Sequence, residues 1–156
     1  MPDGTAGRLD IREARLRRLY RDWNSWRHGR TFPSRADFDP LDLKYILGDL
    51  TLIDVLRDPP RYVFRLHATK NVDRLGADLT GKELAWMPGA ELRDTVRAHY
   101  ERVIATRAPV VQRRDGLLSE GRPWTYEILV LPLAADGETI DMLMAALVWN
   151  GPALST

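Results

Sequence analysis

The stretch 122–149, RPWTYEILVLPLAADGETIDMLMAALVW, decides the fold. Its first arm alternates: Trp124, Tyr126, Ile128 and Val130 share one face, while Thr125, Glu127 and Leu129 share the other. The second arm, Ile140 to Trp149, has Asp141 as its sole charge, so the pattern predicts a strand covered on both faces. Between the arms, Asp136-Gly137 tolerates the positive φ of a tight turn, which makes the stretch a long β-hairpin. So apolar a hairpin is not stable alone in water; it requires further strands and a helical cover.

Upstream of the hairpin, Leu92, Val96, His99, Tyr100, Val103 and Ile104 recur at helical spacing, predicting a helix over 90–106 that Pro109 terminates. Arg93, Asp94, Arg97, Glu101 and Arg102 fall on its wet side. A short strand, Val110 to Arg114, joins this helix to the hairpin. Before the helix, residues 68–89 hold short apolar patches broken by Gly76, Gly81, Pro88 and Gly89, which predicts helical turns and tight bends of the kind that cover a pocket. Two strands precede them. Leu50 to Leu56 is apolar apart from Thr51 and Asp54. After Asp58-Pro59-Pro60, Arg61 to His67 alternates, with Tyr62, Phe64 and Leu66 on the inner face and His67 on the outer.

Nearer the N-terminus, Asp39 caps and Pro40 begins a short helix carrying Leu43, Ile46 and Leu47 before Gly48. Leu9, Leu16, Leu19, Tyr20, Trp23 and Trp26 give a longer amphipathic helix over about 10–27. The order is helix, helix, β, β, short helices, long helix, β, β, β. An α+β domain follows, with a five-stranded antiparallel sheet, helices on one face and an extra N-terminal amphipathic helix. The expected division is 1–30 for the basic helix, 31–150 for the domain and 151–156 for a tail.

Composition narrows the function classes. At 156 residues, 44% hydrophobic and 29% charged, the chain suits one globular domain with a core of its own. It contains no cysteine, hence no disulfide, thiolate nucleophile or cysteine metal site, which fits a cytoplasmic location. Neither a signal peptide nor a membrane span is visible. Nine arginines between Arg8 and Arg35 face only Asp10, Glu13 and Asp22, yet the net charge is +1, so a solvated helix face is favoured over a nucleic-acid site.

The element order and several motifs resemble a PAS domain. The motif Phe64-Arg65-Leu66-His67-Ala68-Thr69, leading to Leu75-Gly76-Ala77-Asp78-Leu79-Thr80-Gly81-Lys82, resembles its second strand and following turn. Phe38-Asp39-Pro40-Leu41-Asp42-Leu43, Tyr126-Glu127 with Leu131-Pro132-Leu133, and Asp141-Met142-Leu143 resemble a family of short bacterial proteins consisting of little beyond one PAS domain. The resemblance implies a sensory or interaction module in signalling rather than an enzyme. It implies a small apolar or aromatic ligand held between sheet and helices, with Phe64, Leu66, Val72, Leu75, Leu84, Val96, His99, Val103, Tyr126 and Met144 as its lining. No histidine-kinase, cyclase or DNA-binding output domain is expected to fit in 156 residues, so the signal is expected to leave through partners or through the basic N-terminal helix.

Haem ligation through His99 is disfavoured, because one histidine in a periodic stripe is more often a core residue bonded to a neighbour. His67 and His28 make no spaced pair with His99, so no zinc site is expected. A cysteinyl-flavin adduct is excluded by composition, whereas a non-covalent flavin or other aromatic ligand is compatible with it. Glu127 is expected to pair with Arg65 across the sheet. A small cone-shaped hydrolase or isomerase would use His99 as base and Tyr126 as acid, but no triad, metal box or phosphate loop accompanies them. The alternative to a ligand sensor is a pure dimerisation or interaction module, with a homodimer formed through Leu16, Leu19, Tyr20, Trp23 and Trp26.

Overall fold

The computed structural model describes residues 9–117 and 120–151. Five strands, β1 (Leu50–Leu56), β2 (Arg61–Leu66), β3 (Val110–Leu117), β4 (Pro123–Leu133) and β5 (Met142–Asn150), form one antiparallel sheet in the order β2-β1-β5-β4-β3. Three α-helices, α1 (Ala14–Trp26), α2 (Thr69–Leu75) and α3 (Ala90–Thr106), complete it. The hairpin β4–β5 pairs from Thr125↔Asn150 to Leu133↔Met142, and β1 joins the apolar arm from Leu50↔Ala146 to Asp54↔Met142. The apolar arm therefore lies at the centre of the sheet, where both its faces are covered. Its turn is longer than a tight two-residue hairpin: residues 134–141 connect the strands, with Gly137 at φ 83° and the Asp136 carboxylate accepting the N–H groups of Glu138 and Thr139.

Directly opposed residues of antiparallel strands share a face, so the register sorts the core. Tyr126, Trp149, Ile128, Leu147, Ile53, Phe64 and Tyr62 look toward α2 and α3. Glu127, Val148, Leu129, Ala146, Leu131, Met144 and Leu52 look the other way. That second face is where α1 lies. The N–H groups of Arg12 and Glu13, just before the helix, bond the Glu127 carboxylate at 3.0 and 2.7 Å, and the Trp23 indole N–H donates to the Pro132 carbonyl at 2.9 Å. α2 and α3 thus cover one face, as expected, and the extra N-terminal helix α1 covers the other. Leu16, Leu19 and Trp23, spaced for one helical stripe, are fully or almost fully buried. Tyr20 and Trp26 are half-buried, and Trp26 stacks on Phe38 at 4.7 Å.

Three expected elements come out differently. The helix expected after Asp39 is two separate 3-10 turns, Pro40–Leu43 and Leu47–Asp49. The Asp39 cap and the leading Pro40 do form, with Asp39 accepting the Leu41 N–H at 2.9 Å, but the break lets both Leu43 and Ile46 enter the core. The strict alternation of 61–67 also fails at its end. Between Leu52↔Leu66 and Ile53↔Phe64 the pairing gains one residue, a β-bulge at Arg65. Past the bulge the faces exchange: Leu66 is 38% exposed and His67 only 6%. β3 runs to Leu117, longer than expected. Among the described residues no helix is long and apolar enough to cross a membrane.

Candidate functional site

A cleft of about 200 Å³ opens between α2, α3 and the facing ends of β4 and β5. Its walls come from both helices and the sheet. Asn71, Arg74 and Leu75 share one side of α2, at the helical spacings i, i+3 and i+4. Leu92 and Val96 line it from α3, Met87 from the bend before that helix, and Tyr126, Leu147 and Trp149 from the sheet. His67 completes it because the bulge turned it inward. Trp149 stacks on Trp124 at 5.2 Å, and Trp124 lies parallel to Tyr126 at 6.1 Å, so the aromatic wall is held from behind. Gly116 makes room for this stack: a Cβ there would come within 2.5 Å of the Trp124 ring.

The polar groups are few and fixed. The His67 Nδ1 accepts the Leu79 N–H at 3.1 Å, so the neutral ring carries its proton on Nε2. Burial lowers the His67 pKa below its ordinary value, against the opposing pull of Asp78, whose carboxylate is 4.0 Å away. Arg74 donates to the Asn71 carbonyl at 2.5 Å, stands 3.7 Å from the buried Asp49 carboxylate and lies over the Trp149 ring at 5.8 Å. Burial lowers the Arg74 pKa and Asp49 pulls it back up. Asp49 is shared with Arg15 at 2.9 Å and Lys70 at 3.4 Å, so three cations converge on one carboxylate.

Three of the ten expected lining residues, Leu75, Val96 and Tyr126, meet in this cleft. Phe64, Leu84 and Val103 sit in the filled core, and Val72 is half-buried on α2 outside the lining. Leu66 is turned outward by the bulge, and Met144 is buried on the α1 face, the wrong side of the sheet. His99 is half-buried on α3 and outside the lining; its Nε2 is a buried side-chain nitrogen without a hydrogen-bond partner among the described residues. Burial, with Arg114 and Arg102 nearby, lowers its pKa. His99 and Tyr126 therefore do not share one lining as the acid–base pairing required. Glu127 pairs with Arg113 at 2.8 Å, and Arg65 with Asp54 at 2.7 Å, in place of each other. Of the helix face expected to meet a second copy, Leu16, Leu19 and Trp23 are buried on the chain's own sheet, while Tyr20 and Trp26 are half-buried.

The sequence reading did not single out Asn71 or Arg74, although their i, i+3, i+4 spacing with Leu75 is the signal that marks them; His67 carries no such signal, because only the bulge reverses its side. Two larger surface hollows, of about 360 and 590 Å³, flank Arg113. Arg113 is already satisfied there by Glu127 and Asp10, so the cleft is the better candidate site.

A family model described as a PAS domain matches residues 11–148. No curated protein matches the chain. Among solved structures, a sensory box sensor histidine kinase from Vibrio cholerae is 19% identical, with 70% of this chain and 90% of that one covered and a TM-score of 0.46. A LOV protein from Rhodobacter sphaeroides is 13% identical, covering 64% of this chain and 57% of that one, TM-score 0.45. The LOV domain of the Erythrobacter litoralis EL346 blue-light activated histidine kinase is 16% identical over 66% of this chain and 95% of that one, TM-score 0.42.

Proposed function

Because this chain belongs to the PAS domain family, we propose that it is a regulatory sensor module that takes a small, mainly apolar molecule into the cleft between α2, α3 and the sheet. One observation carries the reading: seven of the ten lining residues, Leu75, Met87, Leu92, Val96, Tyr126, Leu147 and Trp149, are apolar or aromatic, with the remaining polar ones gathered at α2 and His67. Concave apolar walls with a few placed polar groups are what small-molecule sites require. The volume suits a single ring. An apolar cavity of about 150 Å³ admits benzene, whereas drug-sized ligands occupy about 300 Å³ or more.

A second reading, a protein-interaction module, is favoured by Trp86, 69% exposed beside the cleft-lining Met87, and by Leu92, 44% exposed at the rim. The two readings are compatible if a bound ligand alters that rim.

Native mass spectrometry of the protein isolated from its own source tests the first reading. The expected result is an adduct of one small molecule that is absent from Val96→Trp, whose indole fills the cleft, or from Leu92→Trp if the former does not fold. An unliganded protein, or an adduct that both cleft-filling variants retain, would refute it.

A further inference from the structure

Deepening the sensor reading, and resting on it, we propose that the cleft selects a one-ring or similarly compact carboxylic acid, its carboxylate held by Arg74, Asn71 and His67 and its apolar body lying against Trp149 and Tyr126. The argument is one of donors. Arg74 has only N–H groups to offer, and its Nη1 is committed to the Asn71 oxygen. That bond uses the acceptor of Asn71 and leaves its NH2 as the free end. His67 spends Nδ1 on the Leu79 N–H, so its other nitrogen presents N–H. The His67 side chain is 4% exposed, and no partner for its Nε2 exists among the described residues. The polar end of the cleft is therefore rich in donors, from Arg74, Asn71 and His67, with the Tyr126 hydroxyl and the second lone pair of the Asn71 oxygen as its acceptors. A ligand that matches it brings oxygens without hydrogens.

Charge points the same way. Asp49 is the buried carboxylate beside Arg74, and it also serves Arg15 and Lys70, at shorter distances than the 3.7 Å to Arg74. Arg74 is 19% exposed, so its positive charge is poorly met by water; the Asp49 oxygen 3.7 Å away, not the one that Arg15 and Lys70 share, and Asp73 balance it in part. An anion beside it gains a partly dehydrated partner, where charge-assisted hydrogen bonds are strong. A neutral ring of equal shape gains only the apolar walls. A cation is repelled by Arg74, the cation that lines the cleft.

Isothermal titration with phenylacetate, phenylacetamide and phenethylamine separates these cases. Phenylacetate is expected to bind at least about tenfold more tightly than the amide, with the amine weakest. Arg74→Met is expected to remove that preference while leaving the amide's affinity within about twofold, and Asn71→Leu to reduce it in part. The Asn71 variant keeps the Asp49 cluster intact and so remains informative if Arg74→Met fails to fold. Equal or tighter binding of the amide, or a preference for the acid that survives both variants, would overturn the inference while leaving the sensor reading standing. If none of the three binds, and the molecule carried from the native source is absent, both fall.

Discussion

Glu127→Gln is the sharpest probe of how the N-terminal helix is held. The Glu127 carboxylate is 5% exposed on the face of β4 opposite the cleft. It accepts the N–H of Arg12 at 3.0 and 3.2 Å, the N–H of Glu13 at 2.7 Å and the Arg113 guanidinium at 2.8 Å. Those amides lead into α1 and have no intrahelical partner, so the carboxylate fixes where the helix starts. Hydrogen bonds to a charged group contribute about 1.5–3 kcal/mol against about 0.5–1.5 for neutral ones. Removing the charge while keeping the shape weakens two backbone bonds by about 1 kcal/mol each, about 2 kcal/mol together. For a domain of this size that lowers Tm by about 4–8 °C. Burial pushes the Glu127 pKa up, but the Arg12 and Glu13 amides and Arg113 outweigh it and hold the folded pKa below the ordinary value. A lowered folded pKa gives stability that is present above the unfolded pKa, about 4.3, and lost as pH falls through the folded one. The variant's deficit should therefore be full at pH 7 and shrink below about pH 4. Urea unfolding at both pH values measures it, and hydrogen exchange at the Arg12 and Glu13 amides localises it. A deficit below about 0.5 kcal/mol at pH 7, or one that persists undiminished at pH 3, would refute the latch.

Three further outcomes follow from the packing. Gly116→Ala places a methyl 2.5 Å from the Trp124 ring, forcing the Trp124–Trp149 stack to move; it should cost about 1–3 kcal/mol and diminish the near-ultraviolet circular dichroism, and a neutral result would mean the stack is loose. His99→Leu removes a buried nitrogen that lacks a partner and should stabilise the domain by about 1 kcal/mol in denaturant titration, with a destabilised variant pointing to an unrecognised role for the ring. Because the pKa values of His67 and His99 are lowered in the fold, the unfolded chain takes up protons first, and stability should fall as pH drops below about 6.5; a flat profile between pH 7 and 5 in His67→Gln/His99→Leu, against a sloping parent, is the check.

The sheet was largely legible because its evidence is local. Alternation in 122–133, the apolar run 140–149 and the helical stripe of 90–106 each state their own burial, and β1 and α3 run over the residues that the pattern marked. The family motifs lie in the same segments. The cleft was legible only in part, since lining depends on which face a residue takes after every bulge has been counted. One extra residue at Arg65 reverses Leu66 and His67, and a strict period-two reading has no means of detecting it. Met144 failed for a related reason: in a central strand apolar on both sides, the letters do not say which side meets α3 and which meets α1.

What the sequence determined by itself was the five strands, the two long helices, their order and the amphipathic face of each of those helices, because periodicity acts over a few residues. What only the tertiary structure decided was the destination of those faces. The α1 stripe suits a second subunit as well as a sheet, and the Glu127 bonds to Arg12 and Glu13, more than 110 residues away in the chain, bring it to the sheet. Asp49 acquired three cations, and the cleft its donor-rich end, by the same kind of long-range approach. Contacts of that range depend on register and on the path of the chain, and neither is written in any single stretch of residues.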